Sequence, residues 1–222
     1  PGKNRIVVAF QTKLAQKATC TLGFGYGYTE FTPDMVATGN EGVLNCYAYS
    51  DSGGLFAGNE LYVANMGSSN SKEGWYLTKY DAVTWKELVS IFYPVSTGED
   101  AGDPMLEMVN GLLDVSALYK SDPNEQGGPF KSFATHHQFF TPDLKFVSKK
   151  VLSDIPHCNM SSMIVVNGVT NFVTATAILG NVVLMKYDPS WKYLGSTTLL
   201  QRATCPEGTA FDGKRFYVAY LD

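Results

Sequence analysis

Asn167-Gly168, then Phe172-Val173-Thr174-Ala175, then Val182-Val183-Leu184-Met185 running into Tyr187-Asp188-Pro189-Ser190, is the stretch whose reading decides the fold. Asn and Gly both tolerate the positive φ of a type I′ turn, so Asn-Gly ahead of an apolar β segment marks a tight hairpin. The aromatic residue with its Asp-Pro turn, set between two further apolar segments, marks a second hairpin of different chemistry. Two successive hairpins make a four-stranded antiparallel unit.

Working outward, the same unit recurs. The first hairpin is repeated at Pro1-Gly2 before Ile6-Val7-Val8-Ala9, at Ala57-Gly58 before Leu61-Tyr62-Val63-Ala64, at Asn110-Gly111 before the run 112–117, and at Asp212-Gly213 before Phe216-Tyr217-Val218-Ala219. The second recurs at Phe31-Thr32-Pro33-Asp34, Tyr80-Asp81-Ala82-Val83 and Phe140-Thr141-Pro142-Asp143. A period of about 50 residues built from two alternating hairpins is the signature of blades arranged radially. The expectation is an all-β, β-propeller fold of four to five four-stranded antiparallel blades, divided near 1–39, 40–97, 98–154, 155–201 and a partial 202–222. A β-sandwich also spaces short strands regularly, but has no reason to alternate two turn chemistries. The count does not close, so either the terminal strands share a blade or strands are missing at the ends. The start at Pro1 rather than Met accords with a processed or partial chain. Two polar, glycine-containing stretches, 67–74 and 121–129, read as surface loops.

Composition bounds the function. Apolar residues make up 45% and aromatics 13%, against 17% charged residues, a balance that favours strands and tight turns. The formal charge of -4, with no basic cluster, gives a phosphate backbone nothing to bind, so nucleic acid is excluded as a partner. No apolar run reaches the roughly 18 residues of a membrane helix, and the first residues do not form a signal peptide. The expectation is a soluble, secreted or extracellular protein whose signal has been removed. Cys20, Cys46, Cys158 and Cys205 allow three pairings, and two bridges, one or none all fit the count.

In a propeller the first residues of each innermost strand gather at one mouth of the central channel. In this frame they are Asn40-Glu41-Gly42, Gly102-Asp103-Pro104, His157-Cys158-Asn159 and Cys205-Pro206-Glu207-Gly208. Glu41, Asp103 and Glu207 are thus candidates to converge as the acid and the base or nucleophile of glycosidic cleavage, and proximity would split their pKa values. Asn40, His157 and Asn159 are candidate ligand contacts. His136-His137 lie in a strand and face opposite ways, so they do not share a metal. With no CxxC or HxxxH spacing, neither a metal nor a cofactor is expected. Asn159-Met160-Ser161 fits a glycosylation sequon. Trp75, Trp85 and Trp191 near outer turns read as packing between sheets.

The segment Cys205-Pro206-Glu207-Gly208, continued by Phe216-Tyr217-Val218, resembles the Glu-Gly-Pro…Gly-x-Tyr-Tyr-Leu stretch that carries the general acid in five-bladed glycoside hydrolases of the arabinanase and xylosidase type, family 43. Gly102-Asp103-Pro104…Asn110-Gly111-Leu112-Leu113 is similar to the Asp-Pro stretches of the same family. That resemblance implies Glu207 as the acid and Asp103 as the base or its modulator. Thr209 stands where the family prefers Pro, and the blade 160–202 separates motifs that the family holds in adjacent blades. Three functions follow as expectations: an extracellular glycan-binding propeller first, a glycoside hydrolase second, and a protein-interaction propeller assembling through open terminal strands third.

Overall fold

A computed structural model describes residues 6–12, 25–32, 34–46, 52–69, 72–94, 100–101, 104–120, 133–152, 160–175, 181–201, 206–211 and 214–220. They fall into two compact units, Pro1–Val95 and Ser96–Asp222. The described residues contain strands and turns and no helix.

In the first unit, β1 (Ile6–Thr12), β2 (Gly25–Phe31) and β3 (Ala37–Asn45) form one antiparallel sheet, and β4 (Ser52–Ala57), β5 (Glu60–Ser69), β6 (Lys72–Asp81) and β7 (Glu87–Pro94) form another in chain order. In the second unit, β8 (Asp100–Ala101) and β9 (Met105–Val109) both pair with β10 (Leu112–Lys120), which continues through β11 (Phe133–Phe140) to β12 (Phe146–Leu152). The next sheet is β13 (Met160–Val166), β14 (Val169–Ala175), β15 (Val182–Tyr187) and β16 (Tyr193–Leu200), and the last is the pair β17 (Pro206–Phe211) and β18 (Phe216–Tyr220).

The turns obey the two chemistries. Asn110 and Gly111, and likewise Asn167 and Gly168, all hold positive φ, as a type I′ hairpin requires. At the second kind of turn the chain re-pairs across the loop: Asp81 N–H donates to the Lys86 carbonyl, Thr141 N–H to Lys145 and Asp188 N–H to Lys192. The last loop residue is then forced left-handed, and it is a bulky one each time: Met35, Trp85, Leu144 and Trp191, at φ of 61°, 59°, 59° and 66°. Both tryptophans convert that strained position into packing. Trp85 stacks on Tyr28 of the preceding sheet, and Trp191 covers His137 of the preceding sheet.

Two expectations need correction. Residues 67–69 and 72–74 are paired strand, since β5 and β6 pair as far as Ser69 opposite Lys72, and 70–71 lie outside the described residues. Gly74 is fixed there by close approach, since a Cβ would overlap the Tyr93 carbonyl of β7. Asn40 and Glu41 do not open the inner strand of the second sheet. They lie on β3, the outermost strand of the first, paired to β2 through Thr29 opposite Glu41. Gly39, at φ of 82°, belongs to an irregularity within β3, and from sequence it imitates a turn between sheets. The stretch 121–132 lies outside the described residues.

Candidate functional site

Outside the sheet β4–β7, where β5 ends at Ser69 and β6 starts at Lys72, the two ends of a sheet differ. At one end the chain turns within a few residues, as at Asn110-Gly111 and at Thr141 to Lys145. At the other lie the long connections, from Thr12 to Gly25, Lys120 to Phe133, Leu152 to Met160 and Leu200 to Pro206. A tight-turn scaffold that carries its long segments at one end is the usual arrangement for a binding surface.

In the second unit the innermost strands β9, β13 and β17 are successive neighbours, with β13 touching both. Each ladder slips by one residue near the start of its inner strand. Between β8 and β9, the chain takes four residue steps from Ala101 to Met105 while β10 takes three, from Tyr119 to Ser116. In β13 the slip falls between Met160 and Ser162, and in β17 between Pro206 and Gly208, at Glu207. By contrast β4 pairs with β5 without interruption. Bulges re-aim side chains and concentrate beside functional sites. The interrupted stretch 102–104 contains Asp103, which lies outside the described residues, as do His157 and Asn159. Glu207 is described as backbone on the inner strand. Glu41 and Asn40 are exposed, in the other unit, and Asn40 Oδ1 accepts a long 3.5 Å bond from the Tyr28 hydroxyl. Burial, with the nearby Glu30 charge added, raises the pKa of that phenol.

Cys46 is disulfide-bonded, which removes the bridge-free alternative, while Cys20, Cys158 and Cys205 lie outside the described residues. No group of three metal-ligating side chains occurs among the described residues. No helix of the described residues is long and apolar enough to cross a membrane.

Sequence reasoning missed a titratable cluster on the sheet β8–β12. Asp114 on β10 and His137 on β11 are both fully buried, with Nδ1 and Oδ2 2.9 Å apart. Glu107 on β9 stands directly opposite Asp114 in the ladder and is half-buried. Burial raises the Asp114 pKa against the opposing pull of His137. Burial also raises Glu107, opposed by a hydrogen bond from Met108 N–H and reinforced by the Asp114 charge. The signal was present, for Asp114 is the one charged residue in the apolar run 112–117. The remaining perturbed carboxylates belong to turns and strand ends. Hydrogen bonds from Thr84 and Val83 lower Asp81, and those from Ser190 and Lys192 lower Asp188. At Glu60, burial opposes ionisation but is outweighed by bonds from Lys79 at 2.7 Å and Tyr62 at 2.6 Å.

Antiparallel meander sheets, most of them three- or four-stranded and one five-stranded because β8 and β9 share the edge of β10, define an all-β chain of β-propeller fold. Solved structures share that architecture at low sequence identity. A GH43 β-xylosidase/α-arabinofuranosidase from a compost microbial metagenome is 13% identical with a TM-score of 0.58, over 87% of this chain and 73% of that one. A β-1,2-mannobiose phosphorylase from Listeria innocua is 12% identical with a TM-score of 0.56, over 89% and 64%. A neuraminidase-like protein of A/little yellow-shouldered bat is 9% identical with a TM-score of 0.51, over 83% and 58%. The chain therefore spans only 58% of that neuraminidase-like protein and 64% of the phosphorylase. At these identities the likeness defines the fold alone. No protein-family model and no curated protein matches the sequence.

Proposed function

We propose that this chain is an extracellular glycan-binding β-propeller module whose site lies at the long-connection end of the second unit. The observation that carries this reading is the run of ladder slips in β8/β9, β13 and β17, at the residues where Asp103 and Glu207 stand in sequence. Polar groups at the starts of adjacent inner strands can hydrogen-bond sugar hydroxyls from several directions, as a small-ligand site requires. Two of the similar solved structures were determined with xylotriose and with β-1,2-mannobiose, which favours a saccharide over other polar ligands. The Cys46 disulfide accords with an oxidising compartment.

A second reading draws on the same slips. Glu207 would act as general acid and Asp103 as base or modulator, cleaving a glycosidic bond. Glu41, on the strand β3 of the first unit, is assigned no role in this reading. The test is binding and hydrolysis of a panel of oligosaccharides and aryl-glycosides by the wild-type chain, Glu207→Gln and Asp103→Asn. Saccharide binding that weakens in both variants, without turnover, supports the binding module. Turnover abolished in Glu207→Gln supports the hydrolase, and neither binding nor turnover rejects both.

A further inference from the structure

The cluster on the sheet β8–β12 is not imposed by the repeat. Three residues before the turn aromatic of the third strand, this sheet has His137 before Phe140, whereas two others have Leu77 before Tyr80 and Leu184 before Tyr187. Asp114 stands opposite Phe139; the matching positions hold Val7 opposite Glu30, Tyr62 opposite Lys79 and Asn171 opposite Lys186. No counterpart of Asp114 or His137 is charged. A buried ion pair is commonly no more stable than apolar residues of similar volume, so fold stability does not account for the pair.

Glu107 comes from β9, Asp114 and Ser116 from β10, His137 from β11, and Lys150, opposite His137, from β12. From the facing sheet come the Ser190 carbonyl, the Trp191 ring 4.0 Å from the imidazole, and Tyr187 packed on Trp191. Lys186, Asp188 and Lys192 flank that turn, where Asp188 Oδ1 accepts from Ser190 and Lys192. Lys150 Nζ donates to the Ser190 carbonyl at 2.7 Å. Asp114 Oδ1 and Ser116 Oγ have no hydrogen-bond partner among the described residues. Glu107 and Asp114 thus face each other across the ladder as like charges, and burial favours the state in which one of them keeps its proton.

We propose that the seam between the sheets β8–β12 and β13–β16 is a proton-linked joint: when it closes, Glu107 retains a proton beside the Asp114–His137 pair, and mild acidification tightens it. A carboxyl raised in the folded state adds stability that is complete below its unfolded value and is lost as pH rises through the folded one. For Glu107 that loss starts at the ordinary 4.5 and runs upward. Asp114, raised likewise, adds a contribution of the same sign, whereas Glu60, Asp81 and Asp188 are lowered, so theirs fall away only below the ordinary 4.5 and 3.8.

The experiment is urea unfolding of the full chain and of Glu107→Gln at about pH 5 and about pH 7.5. The wild type is expected to be more stable at the lower pH, its folded-to-unfolded ratio changing by up to about tenfold per pH unit, the limit for one linked proton. Glu107→Gln is expected to reduce that slope and to exceed the wild type at neutral pH. A wild type that weakens at pH 5, or a variant that keeps the slope, overturns the joint. If Glu107→Gln fails to fold, a carboxyl carbon-13 titration of the wild type decides: one glutamate titrating above the others supports the joint, and none doing so overturns it.

Discussion

The two units close their sheet-to-sheet seams with the same tryptophan over different chemistry. In the first, Trp85 lies 4.0 Å from Tyr28 at an interplanar angle of 17°, above an apolar patch of Leu61, Val63, Tyr80 and Ala82. Asn45 adds a buried amide link there, its Nδ2 donating to Asn65 Oδ1 at 2.9 Å and to the Tyr80 hydroxyl at 3.0 Å. In the second, Trp191 lies 4.0 Å from His137, which occupies the position of Tyr28, and beneath it is the buried Asp114. The left-handed turn fixes where the indole goes. What lies under it is free to vary, so one indole rests on an uncharged ring, with the buried Glu30 carboxylate near that ring, and the other on an ionisable pair.

The largest expected effect comes from unbalancing the charged seam. Asp114→Ala leaves the His137 ring buried without its carboxylate and is expected to cost about 3 to 5 kcal/mol in urea unfolding. Tyr28→Phe, at the matching place, removes only the 3.5 Å contact to Asn40 and should stay within about 0.5 kcal/mol. The pair Asp114→Val with His137→Leu converts the second seam to the neutral kind and should recover the loss, ending neutral or up to about 4 kcal/mol more stable than the wild type. Failure of that double variant to recover would mean the pair is itself required for folding.

A smaller loss is expected on the neutral side. Asn45→Ala removes the donor shared by Asn65 and Tyr80, for about 1 to 3 kcal/mol, read as a lower denaturation midpoint at unchanged slope. If it costs as much as Asp114→Ala, the distinction between a neutral and a charged seam fails.

The repeat itself was legible because turn chemistry is local. Asn110-Gly111 and Asn167-Gly168 specify their backbone from two residues each, and the aromatic with its Asp or Thr turn specifies the other hairpin. Glu41 reads from sequence as part of the inner strand of the second sheet, but on β3 it pairs with Thr29 of β2 in the first, a register that depends on the partner strand. Residues 67–69 and 72–74 are polar and glycine-containing yet are paired strand, for the ladder depends on its partners and not on its own composition. His136 and His137 were correctly separated by strand alternation, and both are buried. The bond from His137 to Asp114 was invisible, since it joins residues 23 apart and needs the register of β10 on β11.

The smallest effect tests whether the left-handed turn position serves the seam or merely tolerates it. Met35 occupies that position at φ of 61° with 60% of its surface exposed. A non-glycine residue there carries roughly 1 to 2 kcal/mol of steric cost, and glycine removes it while adding unfolded-state entropy worth about 0.5 to 1 kcal/mol. Met35→Gly should therefore gain about 0.5 kcal/mol. Trp85→Gly relieves the same strain but discards the stack on Tyr28 and the contact with Phe56, so its sign should reverse, to a loss of about 2 kcal/mol. Opposite signs at two equivalent backbone positions would assign the strain at Trp85 to the packing it enables; equal signs would reduce both tryptophans to bystanders of the turn.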